Sequence, residues 1–390
     1  MIRLRIEGFL DGSRVQRELW EPSRWEIQEA ERVTIEIGNS TSSTSASSTS
    51  SSAFLSIDLV QLPRCLSSSK VGVGAVLWDG GIVLTALLAS LPPAALFGEV
   101  VVELGAGVGA PSLAAAKRGA RVISTDKEVA VLGVLQQNVE RTGVLSPSCR
   151  LPPEPGRVAL RVLEFGTERG DAAAEALADA LVGIAGRSGP SSPAAARSSP
   201  ASAAAAAAAA AAERGGVDLV LAADCVYSDG DGESPDPEAL CRVAARLLMR
   251  RAKGSAGAAA ADAGGERGEE ERPLFFPALP SSRVWLASEE RDAETHALFE
   301  RAAARHFASV RRLHLPAEVF GRNAAISKKK KMSSSGGGGE RGENPWGHVR
   351  VFELAGAGAG TESGRSLSAA EMRALKKPRK RGWPLRRDKE

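Results

Sequence analysis

Apolar residues along this chain follow two spacings, one of strands and one of helices, interrupted by stretches that show neither. Val100 to Leu104 (VVVEL) predicts a short strand, followed by a glycine-rich turn and a helix-like segment from Pro111 to Arg118. Arg121 to Thr125 (RVIST) predicts a second strand. From Lys127 to Arg141, apolar residues at Val131, Val134, Leu135 and Val139 keep helical spacing, and Val158 to Phe165 predicts a third strand. Val217 to Ala222 predicts a fourth, continuous and apolar as buried parallel strands are, with a helix over Pro237 to Arg250. Arg283 to Ala287 is the fifth predicted strand, and Thr295 to His306 the next helix. Val310 to Leu315 and His348 to Leu354 follow with no long helix between them, so they are expected to pair antiparallel, since a parallel crossover usually runs through a helix. Ile2 to Leu10 and Val33 to Ile37 predict a small extra β element, expected over the cleft at the strand tips.

Four segments break this alternation and lack the composition to build a core. They are the Ser/Thr run from Ser40 to Ser52, the stretch from Ser188 to Ala212 with its alanine tract, Gly254 to Glu271, and Lys328 to Glu343. The alanine tract favours helix but has no amphipathic face to dock. The expected organisation is therefore an N-terminal extension over 1–72 with a linker at 40–52, then one α/β domain over 73–355. Insertions fall at 188–212, 254–271 and 328–343, and a basic tail spans 356–390.

Composition narrows the function classes. Hydrophobic residues at 43% suffice for a sizeable core, while 41 glycines and only 4% aromatics place much of the chain outside it. A formal charge of +3 over 390 residues is too small for a nucleic-acid-binding surface spread over the whole protein. The four cysteines, Cys65, Cys149, Cys225 and Cys241, form no CxxC pair and meet no histidines at zinc-like spacing. No metal site or disulfide framework is expected, and a reducing compartment, cytoplasmic or nuclear, fits. Charged residues interrupt the N-terminal apolar positions, and no uninterrupted apolar run of about 18 residues occurs. Neither a signal peptide nor a membrane partner is expected.

The sharpest chemical signal is Glu103-Leu104-Gly105-Ala106-Gly107-Val108-Gly109, set between a predicted strand and a predicted helix. Such a turn brings backbone amides and the positive end of a helix against a ligand. Read as Gly105-x-Gly107-x-x-Ala110, with Asp126 ending the next strand, it also satisfies a dinucleotide-binding fingerprint. Two features favour S-adenosylmethionine instead. Glu103 places a carboxylate two residues before Gly105, where it suits an ammonium and repels a pyrophosphate. Leu163-Glu164-Phe165-Gly166 then offers an acceptor and an aromatic face for an adenine at the next strand tip. A nicotinamide oxidoreductase and a purely structural turn in an inactive sheet are the alternatives.

Taken together, Gly74 to Asp79 (GAVLWD), Val102 to Gly109, Thr125-Asp126, Leu163 to Gly166, Leu221 to Tyr227 (LAADCVY) and Ser288 to Arg291 (SEER) resemble seven-strand S-adenosylmethionine-dependent methyltransferase family 16. That family includes the lysine methyltransferase of valosin-containing protein. The resemblance runs from about Val73 to Phe352 outside the insertions, and Asp224-x-x-Tyr227 is its most specific element. It implies a Rossmann-like α/β fold whose sheet of seven strands is mostly parallel with an antiparallel late strand. It implies that Trp78 covers the cofactor, that Glu103, Gly105, Ala106 and Gly107 line its methionine end, and that Asp126 binds the ribose. Glu164 and Phe165 would frame the adenine, Phe165 standing where relatives usually carry tryptophan. Ala223 would contact the ligand through its backbone, with Asp224 and Tyr227 as the catalytic pair facing the transferred methyl.

Each assignment has a plainer counterpart. Trp78 has the alternative of a core aromatic, Asp126 of a helix N-cap, and Arg291 of a salt-bridge partner holding its loop. Cys225 and Cys241 are expected to be buried bystanders. The implied reaction is methyl transfer to a protein lysine. Protein histidine, a small molecule, or a non-catalytic binding role are the alternatives, since cofactor motifs say little about the acceptor. Outside the core, Lys376 to Arg381 and Arg386-Arg387 form a dense basic run. It reads as a nuclear localisation signal, a nucleic-acid-touching tail or a solvated terminus.

Overall fold

The computed structural model describes residues 2–10, 13–19, 24–38, 55–65, 72–92, 94–147, 151–182, 216–227, 236–249, 282–289, 291, 293–313, 315, 346 and 348–357. The four expected low-complexity segments and the basic run after residue 357 lie outside these residues.

The central sheet is built from β5 (Val100–Leu104), β6 (Arg121–Asp126), β7 (Arg157–Val162), β8 (Leu219–Ala223), β9 (Arg283–Glu289), β10 (Phe307–Leu313) and β11 (Val349–Ala357). Its strand order is β10-β11-β9-β8-β5-β6-β7. Parallel pairs run from β7 to β9, and β11 enters between β9 and β10, antiparallel to both. The expected late antiparallel pairing is present. In it, β11 fills an interior position of the sheet instead of simply extending its edge.

Among the described residues the α-helices around the strands are α1 (Arg24–Glu29), α2 (Asp79–Ser90), α3 (Ala110–Lys117), α4 (Val129–Arg141), α5 (Glu168–Val182), α6 (Pro237–Met249) and α7 (Ala293–His306). All five residues of β5 are buried. Val101 feeds one apolar cluster with α2, α3 and α4, while Val100, Val102 and Leu104 feed a second with α5, α6 and α7. Alternate side chains of a strand leave on opposite faces, so a strand covered on both sides reads as unbroken hydrophobicity. Chain order reverses between β5 and β8, leaving a crevice at their carboxyl ends where open α/β sheets bind ligands.

A second, antiparallel sheet has the order β2-β1-β3-β4, formed by β1 (Ile2–Leu10), β2 (Ser13–Leu19), β3 (Arg32–Ile37) and β4 (Leu55–Val60). Leu55, Ile57 and Leu59 point inward from β4 while Ser56 and Asp58 face outward, the alternation of a sheet solvated on one side. Its packing corrects the expected placement over the cleft. This sheet rests on α2, α3 and α4, backing the helical layer, while α1 of the N-terminal extension reaches the strand tips. Buried Asn138 of α4 ties the layers together. Its Oδ1 accepts the Val60 amide at 2.7 Å, and its Nδ2 donates to the carbonyls of Val60 and Val108, both at 3.0 Å.

Strand ends differ from the periodicity by small amounts, and one difference matters. β7 stops at Val162 instead of Phe165, because Leu163 turns to donate its amide to the Asp126 carbonyl at 3.0 Å and Phe165-Gly166 forms a turn. Glu164 and Phe165 are therefore on a loop beside Asp126.

Candidate active site

The glycine turn leaves β5 and enters α3, whose first turn carries Pro111. Gly105 has φ +62°, and a Cβ there would lie 2.7 Å from Cys225 Sγ, so this position excludes side chains twice over. The Gly107 amide donates to Asp126 Oδ2 at 3.0 Å, and the Glu128 amide reaches Asp126 Oδ1 at 3.3 Å. Asp126 is not the N-cap of α4, which is Glu128. It ties the glycine turn to the start of that helix segment. Burial raises its pKa above the ordinary value, against the lowering effect of these amides.

Glu103 is fully buried. Its Oε2 accepts the Ser112 amide at 2.9 Å and the Ser112 hydroxyl, which also meets Ser124 Oγ at 2.7 Å. Its Oε1 has no partner among the described residues. Burial pushes this carboxyl up to about 8, outweighing the Ser112 hydrogen bonds.

On the other side of the crevice, β8 ends at Ala223 and Asp224 takes up φ +51°, the left-handed region rarely adopted by non-glycine residues. Its backbone amide donates to the Ala287 carbonyl at 2.8 Å. Its carboxylate accepts two amides, Gly80 at 2.6 Å on Oδ2 and Glu289 at 3.1 Å on Oδ1. Desolvation raises the pKa to about 6, opposed by the Glu289 amide and the charge of Arg291. Gly80 is needed here because a Cβ would sit 2.5 Å from Asp224 Oδ2.

Around this cradle runs an alternating row of charges. His348 Nε2 bonds Asp79 Oδ2 at 2.8 Å, Arg24 bridges Asp79 and Glu289, and Arg291 Nε bonds Glu289 Oε2 at 2.5 Å. Burial works to raise the pKa of Asp79, but His348 and Arg24 outweigh it and hold it low. The Arg291 guanidinium also lies 4.3 Å from the centroid of the Trp78 ring. The Trp78 indole donates to the Val73 carbonyl at 2.8 Å.

Residues 64–177 match a family model described as lysine methyltransferase. The match covers under a third of the chain. Over 71 residues the chain is 45% identical to protein N-lysine methyltransferase METTL21A of Mus musculus, covering 18% of this chain and 32% of that one. Against METTL21A of Xenopus tropicalis it is 37% identical over 97 residues, covering 25% and 41%. The alignments thus span well under half the length of these curated relatives. Among solved structures it is similar to a T. thermophilus 16S rRNA N2 G1207 methyltransferase in complex with AdoMet and guanosine. That likeness has 15% identity and a TM-score of 0.35, covering 77% of this chain and 48% of the other.

The lysine methyltransferase match covers Trp78, Glu103, Gly105, Ala106, Gly107, Asp126, Glu164 and Phe165 and stops before β8. Glu103, Gly105, Ala106, Gly107, Asp126, Glu164 and Phe165 lie at or near the carboxyl ends of β5, β6 and β7, Ala223, Asp224 and Tyr227 at the end of β8, and Trp78 immediately before α2, against Arg291. Cys225 and Cys241 are buried free thiols, as expected, and burial raises the pKa of both. Arg291 takes the structural role offered for it, pairing with Glu289, and adds the Trp78 contact. Among the described residues there is no cluster of ligands able to hold a metal and no helix long and apolar enough to cross a membrane.

Sequence reasoning missed Gly80, Ser112, Arg24 and His348. Asp79 and Glu289 stood inside the quoted motifs, next to Trp78 and Arg291, and their charge in otherwise apolar surroundings was the available signal. Arg24 and His348 carried none, since both come from segments remote in sequence from the motifs.

Proposed function

We propose that this chain is an S-adenosylmethionine-dependent protein-lysine N-methyltransferase. The carrying observation is Glu103, a fully buried carboxyl two residues before Gly105 with one oxygen lacking a partner among the described residues. In isolation such a group is held neutral by burial, and a nearby ammonium restores its charge. That suits the amino end of S-adenosylmethionine and opposes a pyrophosphate. The remaining acceptor capacity of Asp126 for ribose hydroxyls fits the same ligand. Phe165, half-buried, offers a ring face to the adenine, and Glu164, exposed on the same loop, an acceptor. Ala106, Gly107 and Ala223 approach through backbone, and Trp78, braced by Arg291, closes the adjoining wall.

When bound, this cofactor supplies a methyl group on a cationic sulfur for in-line displacement. The protein's task is to align a nucleophile and exclude water. A free lysine amine has a pKa near 10.4 and must arrive uncharged, which a desolvated channel beside a positive charge promotes. Asp224 has both oxygens turned to backbone amides and is mostly ionised at neutral pH, so it can hold an amine through its remaining lone pairs. Tyr227, three residues on and half-buried, shapes the channel. The lysine acceptor is supported by the names of the matched family and relatives.

Calorimetry with S-adenosylmethionine, paired with radiolabel transfer to lysate proteins and mass spectrometry of the labelled residue, tests this reading. Binding followed by label on lysine is expected. Uptake of NAD in place of S-adenosylmethionine would overturn the cofactor assignment, and label on histidine or a small molecule would overturn the acceptor.

The cellular location we propose is cytoplasm and nucleus. Free cysteines among the described residues and the Lys376–Arg387 basic run support it. A reporter fused to that run should enter the nucleus. Any nucleic-acid contact by the run should weaken steeply with salt.

A further inference from the structure

We propose that Arg24 is a positioning residue for Asp224, delivered by the N-terminal extension to the two segments that hold the Asp224 carboxylate. The inference rests on the methyltransferase reading for its kinetic consequence, though not for its geometry.

Asp224 is gripped from two sides, by the amide of Gly80 and the amide of Glu289. Arg24 Nη2 contacts the side chains at those same two places. It lies 3.3 Å from Oδ2 of Asp79, the residue before Gly80, and bonds Oε1 of Glu289. One nitrogen thus spans the start of α2 and the end of β9, elements more than two hundred residues apart in sequence. Without it, the Asp79 and Glu289 carboxylates would face each other and Asp224 with less compensation. His348 would remain on Asp79 and Arg291 on Glu289, and neither of those bonds crosses the gap. A left-handed aspartate persists only where its surroundings over-determine it.

The approach of Arg24 is itself fixed from within. Buried Gln61, just past β4, donates from Nε2 to the carbonyls of Ile27 and Ala30 at 2.5 and 2.7 Å, and accepts the Leu77 amide at 2.7 Å. One amide side chain therefore locks α1 to the segment that leads into α2. The N-terminal sheet, remote from the strand tips, contributes to the site by this route.

Because a single nitrogen makes both contacts and Arg24 Nε has no partner among the described residues, an ammonium can substitute for the guanidinium. Arg24→Ala and Arg24→Lys are therefore compared with wild type in the full-length protein. Two readouts are used, amide hydrogen exchange at Gly80 and Glu289, and methyl-transfer kinetics. Arg24→Ala should speed exchange at both amides and lower kcat by about tenfold or more, with KM for S-adenosylmethionine changed less than about twofold. Arg24→Lys should restore both. Unchanged exchange in Arg24→Ala would overturn the proposal whatever the activity. So would a loss of kcat that Arg24→Lys does not recover, or one matched by an equal rise in cofactor KM. If wild type itself transfers no methyl group, the functional reading fails, and the exchange data still decide whether Arg24 is the clamp.

Discussion

Asp224 accepts the Gly80 amide at 2.6 Å although 144 residues separate the two in sequence. The contact sets a carboxylate at the N-terminus of α2, where its first-turn amides point. It also leaves no room at Gly80. In an ordinary helix Gly→Ala gains up to about 1 kcal/mol of stability. Here the new Cβ would fall 2.5 Å from Asp224 Oδ2 and 3.0 Å from the Ala287 carbonyl. Gly80→Ala should therefore reduce methyl transfer by about a hundredfold or more while leaving S-adenosylmethionine affinity within about threefold, since the glycine turn is not touched. Parallel calorimetry and turnover measurements read the split.

The pH profile should report Asp224. Deprotonation of a lysine acceptor alone gives log(kcat/KM) a slope of about one against pH. Asp224 has its pKa raised to about 6, so below that value it becomes protonated and the slope should steepen towards about two. Asp224→Asn keeps a residue tolerant of the left-handed backbone and removes the charge. Its profile should show the single slope throughout and a much lower maximum. An unchanged maximum would remove Asp224 from the mechanism.

Glu103 makes stability fall with pH. Its carboxyl titrates near 4.5 when unfolded and about 8 when folded. Below 4.5 both states are protonated and nothing is lost. Between these values the unfolded chain releases its proton and the folded one does not, so the folded state loses stability as pH rises. Relative to wild type, Glu103→Gln should gain up to a few kcal/mol across that window, read from urea midpoints at several pH values without cofactor. With S-adenosylmethionine present, the variant should bind more weakly than wild type.

Gly105 and Cys225 should be coupled. Gly105→Ala places a methyl 2.7 Å from Cys225 Sγ and forces φ +62° on a residue with a Cβ, a strain of about 1–2 kcal/mol before the clash. Cys225→Ala removes the clash and leaves the strain. The double variant should be more stable than Gly105→Ala alone, and a thermal-melting cycle measures the difference.

Much of this was legible in the order of residues. The strands β5, β6 and β8 show as apolar runs because both faces of a central parallel strand are covered, and α4 shows because it buries one stripe, Val131, Val134, Leu135 and Val139. Helix α2 did not show. Every residue from Asp79 to Ala89 is buried, so no polar face marks its period, and the two glycines at its start have poor helix propensity. In the site, Glu103, Gly105 and Asp126 could be named in advance because a ligand-binding turn requires particular residue types within a few positions of a strand end, whereas Asp224 was named only through the family resemblance.

The sequence by itself determined at which strand ends Glu103, Gly105 and Asp126 stand and what kind of ligand their residue types suit. Tertiary structure alone decided that Asp224 is held by Gly80 and Glu289, that one oxygen of Glu103 is left without a partner among the described residues, and that Arg24 joins Asp79 to Glu289. The reason is physical. Local spacing records what adjacent residues must do, whereas burial, charge compensation and a strained backbone depend on segments that meet only when the sheet has formed.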